Sequence, residues 1–475
     1  MATPQFKRRE KKADLTRVGE AAIRDFRSRF RGEVFRPGDE GYDDARRIWN
    51  AMIDRRPGLI ARCKGASDVI RAVNFARAHD LLVAVRAGGH NVAGNCTCDG
   101  GLVIDLSHMS SVRVDPEAGK AWVGPGATLG DFDRESQTFG LAAPLGINST
   151  TGVAGLTLGG GFGWLSRKHG LTIDHLVGAD VVTANGKWVR ADEDHNPDLF
   201  WALRGGGGNF GVVTNFEFRL HRVGPRILGG LIVYPYAEAK QVLTGHRDLV
   251  DSMHEDLNVW TILRKAPPLP FLPAEVHGKD VVVLATFWGG DIDAGVREIE
   301  PFRRLGTPVG EHVGPMLYAE WQSAFDALLA PGARNYWKSH NFTSLPDELL
   351  DLSIRYAGRL PSPLCEVFTG VLGGEAGRRA PAATAYVGRD ARFVMNVHAR
   401  WETPREDEAC VRWAREFFRA SAPYATGGVY VNFMTEEEED RVRAAYGTNY
   451  DRLVEIKRKY DPENLFRRNQ NIDPS

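Results

Sequence analysis

The chain has 475 residues and carries 60 Lys plus Arg against 61 Asp plus Glu, a formal net charge of −1 at pH 7. That balance argues against a nucleic-acid binder, which needs a basic excess to displace counterions. A hydrophobic fraction of 43% with 25% charged residues excludes a wholly disordered chain. No segment approaches the ~18 consecutive apolar residues of a membrane span, and the charged N-terminus is followed by no apolar run, so no membrane association and no signal peptide are expected. The five cysteines (Cys63, Cys96, Cys98, Cys365, Cys410) are too sparse for a disulfide framework, which leaves a cytoplasmic protein as the expectation.

In chain order, residues 1–33 are charged and predict an exposed helix or tail. A short strand is expected over 59–63, then a helix over 66–78 with Val69, Ala72, Val73 and Ala76 on one face and Ser67 as its cap. Further strands are expected at 82–85 and 102–106, and a hairpin pairs 112–114 with 121–123. A helix follows at 129–139, then a second hairpin, 177–183 with 188–190, around the Ala184, Asn185, Gly186 turn. A short helix at 198–203 runs through four glycines into a strand at 212–220. From 225 to 421 strands alternate with helices. In the strand 393–401, Phe393, Met395, Val397, Ala399 and Trp401 share one face and Val394, Asn396, His398 and Arg400 the other. An amphipathic helix is expected at 406–420 and another near 450–459. The pattern predicts an α+β protein of two domains, with residues 1–33 as an extension, 34–224 as the first domain, 225–421 as the second, and 422–475 returning to the first.

Glycine is the unusual component: 52 are present, against roughly 33 at a typical usage of ~7%. They cluster at 86–91, 146–163 and 205–211. Glycines let the backbone approach a phosphate or a flat ring where a Cβ would intrude. The run at 206–211 formally matches GxGxxG, but a helix precedes it and a β-branched strand follows, the reverse of a Rossmann unit. Three such clusters point to a large cofactor lying along the backbone. His90 lies in the first; tight spacing of Cys96 and Cys98 makes a metal site there an unsupported reading, and no metal is expected.

Five motifs together, RAGGHN (86–91), GLVIDL (101–106), GVAGLTLGGGFG (152–163), DLFWALRGGGGNFGVVT (198–214) and KYDPENLFR (459–467), resemble the berberine bridge enzyme-like flavoproteins of the vanillyl-alcohol oxidase superfamily, in the bacterial branch of the 6-hydroxy-D-nicotine oxidases. The resemblance runs in order from about residue 34 to the end. It implies FAD held by the first domain and the C-terminal segment, and a substrate domain whose antiparallel sheet roofs the flavin. The residues it assigns to the cofactor are Arg86, Ala87, Gly88, Gly89, His90, Asn91, Gly146, Asn148, Thr151, Gly152, Gly155, Leu156, Gly159, Gly160, Gly163, Gly211, Val213, Asn432 and Asn469. His90 is the residue implied to bond covalently to the flavin 8α-methyl group.

The chain departs from that family pattern twice. Where many relatives have a second linking cysteine, in Gly-x-Cys-x-x-Val-Gly, this chain has GINSTTG (146–152) with Asn148 in the cysteine's place, so one covalent bond, through His90 only, is expected. Thr151 fills the position implied to gate O2 and leaves room for it. The C-terminal Tyr-x-Asn-Tyr is YVNF (430–433), so Phe433 replaces the tyrosine that acts as base in many relatives. The remaining candidates are His169 or His398 as proton acceptor, Asn396 as a positioning group and Tyr430 in reserve. The reading is a FAD-dependent oxidase acting on a C–H next to N or O of a small molecule, with O2 as acceptor. A flavin dehydrogenase and a non-catalytic flavin-binding protein stay open, and the missing tyrosine favours amines because an unprotonated amine needs no separate base.

Overall fold

A computed structural model describes residues 15–475. Its architecture is α+β and rests on three main sheets among the described residues. The first has four strands in the order Glu33–Phe35, Leu59–Arg62, Leu102–Asp105, Val83–Arg86. Its last three strands are parallel. The helix Ala66–Ala78 makes the crossover and buries Val69, Ala72, Val73 and Ala76. Ser67 does not cap this helix. The helix begins at Ala66 with Gly65 at the cap, and the Asp68 carboxylate accepts the backbone N–H groups of Lys64, Arg31 and Gly32 instead.

The second sheet is antiparallel, in the order Val112–Asp115, Lys120–Val123, Val212–Arg219, Leu176–Val182, Trp188–Ala191. Both expected hairpins are in it, and Gly186 takes φ +75° at the tip of the second. The C-terminal chain packs on this sheet: Val429, Val431, Tyr446, Leu453 and Ile472 share its core. Lys457 ties the two together, its fully buried ammonium donating to Asn209 O (2.8 Å), Phe466 O (3.1 Å) and Asp461 (2.6 Å). A buried charge of this kind is tolerated because every donor has an acceptor.

The third sheet has seven antiparallel strands in the order Gly310–Leu317, Arg226–Pro235, Asp280–Trp288, Leu257–Lys265, Glu366–Val371, Phe393–Trp401, Arg334–Phe342. The helices Ala239–Val250, Asp347–Ala357 and Asp407–Ser421 pack on one face and build the largest core. The alternation in Phe393–Trp401 is realised as expected: Met395 faces the core beneath Leu243 and Leu349, while Asn396 and His398 face the opposite way.

Part of the N-terminal segment behaves differently from an exposed tail. The expectation for residues 1–14 lies outside the described residues, but the helix Glu20–Ser28 buries Ile23 and Phe26, and the Phe26 ring stacks on Phe75 at 4.4 Å. The reason is its apolar stripe, which charge composition alone conceals.

Candidate active site

One large cavity is lined from all three sheets: Val83 and Val85 from the first, Val212 and Val213 from the second, and Trp260, Ile262, Arg264, Trp337, Glu366, Phe368, Asn396 and His398 from the third. Its volume is about 320 Å³, within the ~300–1,000 Å³ of small-ligand pockets.

Its floor is backbone. Ala87, Gly88, Gly89, His90, Asn91, Gly146, Asn148, Thr151, Gly152, Gly155, Leu156, Gly211 and Val213 all line it, as do Asn432 and Asn469 from the C-terminal segment. The glycines divide by purpose. At Gly88 a Cβ would come within 2.5 Å of Gly152 N, so these two glycines let two backbone segments touch. At Gly155 and Gly208 a Cβ would meet nothing within 4 Å, because it would enter the cavity. Gly159, Gly160 and Gly163 do not line the cavity; a Cβ there would strike Asn432, Tyr386 or Leu145 O, so packing explains them. Arg86 is also absent from the lining, its guanidinium bonding Asp105 at 2.7 Å.

His90 stands at one wall. Its ring stacks on Trp49 with centroids 4.5 Å apart, and Nε2 lies 2.9 Å from Thr150 Oγ1. Burial, then the charge of Arg400, pushes its pKa down to about 3, so the imidazole is neutral at ordinary pH.

The roof is made of side chains. Strand register sets Arg264, Glu366, His398 and Trp337 in one row across four strands, with Ile262, Phe368 and Asn396 in the row beside it. Glu366 accepts from Arg264 Nη1 at 2.8 Å and from His398 Nδ1 at 3.3 Å. Burial alone would raise its pKa; the Arg264 charge and the His398 hydrogen bond outweigh burial and hold it at about 2. His398 Nε2 faces Asn335 Oδ1 at 3.1 Å, and that atom is an acceptor because the same amide donates through Nδ2 to Ala333 O. Ionised Glu366 takes the Nδ1 hydrogen, so in the neutral ring that burial favours the one lone pair is on Nε2, turned toward Asn335, which does not line the cavity. Asn396 is fully buried against the cavity, and neither its Nδ2 nor its Oδ1 has a hydrogen-bond partner among the described residues. Arg264 and Glu366 escaped the sequence reading because each sits in an otherwise apolar strand and gains meaning only from its neighbour across the sheet.

Aromatic rings close the space between floor and roof. Phe433 lines it, 5.4 Å from Trp337 and 4.9 Å from Tyr430 between centroids. Tyr430 also lines it; its phenol oxygen accepts from Gly161 N (3.2 Å) and Asn432 Nδ2 (3.0 Å). Burial pushes the Tyr430 pKa up to about 12 against those two donors. His169 is elsewhere. It is not part of the lining, its ring stacks on His221 at 4.0 Å, and its carbonyl is bonded by His175. Burial, then the neighbouring His221, holds its pKa down to about 3.

The residues present fit a flavin dinucleotide. The floor is shaped by glycines whose absent side chains leave the space open, and Asn148 Nδ2 and Asn469 Oδ1 are buried, line the cavity and have no protein partner. Comparison with known proteins agrees. The family profile described as "FAD binding domain" matches residues 57–192, and the one described as "Berberine and berberine like" matches residues 429–473. (R)-6-hydroxynicotine oxidase of Paenarthrobacter nicotinovorans is 34% identical over 458 residues, covering 93% of this chain and 97% of that one. The crystal structure of 6-hydroxy-D-nicotine oxidase from Arthrobacter nicotinovorans superposes with a TM-score of 0.84 at 32% identity, over 94% of this chain and 98% of that one. Xylooligosaccharide oxidase from Myceliophthora thermophila, solved with xylobiose, gives 0.83 at 26% identity, over 96% and 99%.

Proposed function

Because this chain belongs to the berberine-like family of FAD-linked oxidoreductases, we propose that it is an oxidase of small, largely apolar amines, with its FAD attached covalently through His90 alone. Bound FAD supplies the redox chemistry, accepting hydride from the substrate carbon and passing the electrons to O2 to give H2O2. In this reading residues 34–224 with 422–475 form the cofactor domain and 225–421 the substrate domain. The backbone at Gly88–Asn91, Gly152–Leu156 and Gly207–Val213, with Asn432 and Asn469, holds the cofactor. Thr151, a short side chain on the cavity wall, leaves O2 a way in.

The observation that carries the amine reading is the roof. Glu366 is neutralised by Arg264, so the site offers no uncompensated carboxylate to an ammonium ion. The His398 Nδ1 hydrogen is given to Glu366 and its Nε2 lone pair faces Asn335 instead of the cavity, and Phe433 cannot take a proton. A substrate that must lose an O–H proton finds no free base among these residues; a neutral amine needs none. Asn396 is the group free to hydrogen-bond and orient it. Aromatic walls at Trp260, Trp337, Phe368 and Phe433 suit a flat apolar body better than a sugar.

Anaerobic flavin reduction by a panel of amines, secondary alcohols and oligosaccharides tests this. Amines should reduce fastest, with kcat/KM rising with pH up to the amine's own pKa; fast reduction by oligosaccharides alone would overturn the reading. Reoxidation of the reduced protein by air separates an oxidase from a dehydrogenase. For the covalent bond, colour should stay with acid-precipitated protein, and His90→Ala should release all of it.

A further inference from the structure

We propose that Asn148 and Thr150 form a proton-ordering pair that holds His90 in a single tautomer, with hydrogen on Nε2 and a bare lone pair on Nδ1, and so prepares Nδ1 to bond the flavin methyl group. This rests on the covalent reading above and assigns positioning residues to it.

The hydrogen positions follow from counting donors. The backbone N–H of Thr150 donates to the Asn148 side chain at 3.0 Å. A backbone N–H only donates, so the Asn148 atom it meets is the amide oxygen; the flipped amide would set donor against donor. That same oxygen lies 2.7 Å from Thr150 Oγ1. An amide oxygen cannot donate, so the single hydroxyl hydrogen of Thr150 points to Asn148. Thr150 Oγ1 is also 2.9 Å from His90 Nε2. With its hydrogen already directed to Asn148, the hydroxyl can only accept here, so the hydrogen of that bond belongs to Nε2. His90 is neutral, since burial and the Arg400 charge both disfavour the imidazolium. A neutral imidazole has one N–H, so Nδ1 carries the lone pair.

Nothing among the described residues hydrogen-bonds Nδ1, and the ring lines the cavity. Trp49 fixes the plane of the ring by stacking on it at 4.5 Å, and is itself held by a hydrogen bond from its Nε1 to Leu329 O at 2.8 Å. Asn148 stands where the resemblance puts a second linking cysteine, so the amide that rules out one linkage serves the other. In the linkage, the bond from Nδ1 to the methyl carbon forms and one methyl C–H bond breaks. The methyl group and Nε2 each lose a proton. The two electrons of the C–H bond reach O2, which takes up two protons and becomes H2O2. The proton leaving Nε2 faces Thr150 Oγ1.

The test compares full-length protein with Thr150→Val, Thr150→Ser and Asn148→Leu. Each is prepared flavin-free and incubated with FAD, and the flavin that survives acid precipitation is followed in time beside total bound flavin. Losing one hydrogen bond of ordinary strength should slow attachment about tenfold in Thr150→Val, with non-covalent FAD binding kept, and at least as much in Asn148→Leu, read against its own total bound flavin. Thr150→Ser should attach FAD at close to the wild-type rate. Imidazole ¹⁵N shifts of His90 in the flavin-free protein should report hydrogen on Nε2 in wild type and Thr150→Ser, and a mixture of tautomers in Thr150→Val. Attachment by Thr150→Val at the wild-type rate, or hydrogen on Nδ1 in the wild type, overturns the inference while the covalent reading stands. Wild type that never attaches FAD overturns the covalent reading and this inference with it.

Discussion

The floor and the roof of the cavity are built in opposite ways. The floor is backbone from a few contiguous stretches, Gly88–Asn91, Gly152–Leu156 and Gly207–Val213, and works by what is missing: a Cβ at Gly155 or Gly208 would stand in the cavity. The roof is a set of side chains, Arg264, Glu366, Phe368, Asn396, His398 and Trp337, drawn from four strands and brought into rows by register. On the proposed reading, local backbone geometry that tolerates little change holds the cofactor, and side chains that can be exchanged without moving the sheet meet the substrate.

The largest effect expected from breaking this contrast is at the roof's charge row. Glu366→Gln leaves the Arg264 guanidinium and the His398 ring beneath the sheet without their carboxylate, a loss of about 3–5 kcal/mol in chemical denaturation. Covalent flavin should nevertheless stay at the wild-type level, because no floor contact is touched. If flavin attachment fails while stability holds, floor and roof are not separable as described. The same carboxylate sets an acid limit. Its pKa falls from 4.5 to about 2 on folding, so its contribution is fully present above about pH 4.5 and is lost as pH falls through 2. On linkage this is about 3 kcal/mol, and the wild-type minus Glu366→Gln difference should shrink over that window.

At the floor, Gly88→Ala and Gly155→Phe should part company. The Gly88 methyl would meet Gly152 N at 2.5 Å, so the backbone must move, at a cost of about 2–3 kcal/mol. Gly155→Phe has open space around its Cβ; the flavin-free protein should melt within about 3 °C of wild type yet fail to retain FAD on gel filtration. Equal destabilisation by both would mean that Gly155, too, serves packing.

The smallest effect is expected at His169. Its ring lies on His221 and outside the cavity lining, so His169→Ala should reduce its flavin within about twofold of the wild-type rate, the range of a group that makes no transition-state contact. A fall of about a hundredfold would restore it as the base.

Local chemistry alone determined much of this protein. The Asn185 and Gly186 turn specified its hairpin because few residues accept a positive φ, and the alternation of Phe393–Trp401 sent Asn396 and His398 to one face because strand side chains alternate. Motifs around His90 and Gly152 pointed to stretches that line the floor of the cavity, since a contiguous stretch shapes each part of it. Tertiary structure decided the rest. Ser67 and the Glu20–Ser28 helix were misjudged because a cap depends on where the helix starts and burial on what packs against it. His169 follows the glycine run closely in sequence, but the chain turns it away from the cavity. Arg264 and Glu366 lie 102 residues apart, and only the pairing of their strands makes one the counter-ion of the other; no local property of either segment encodes that register.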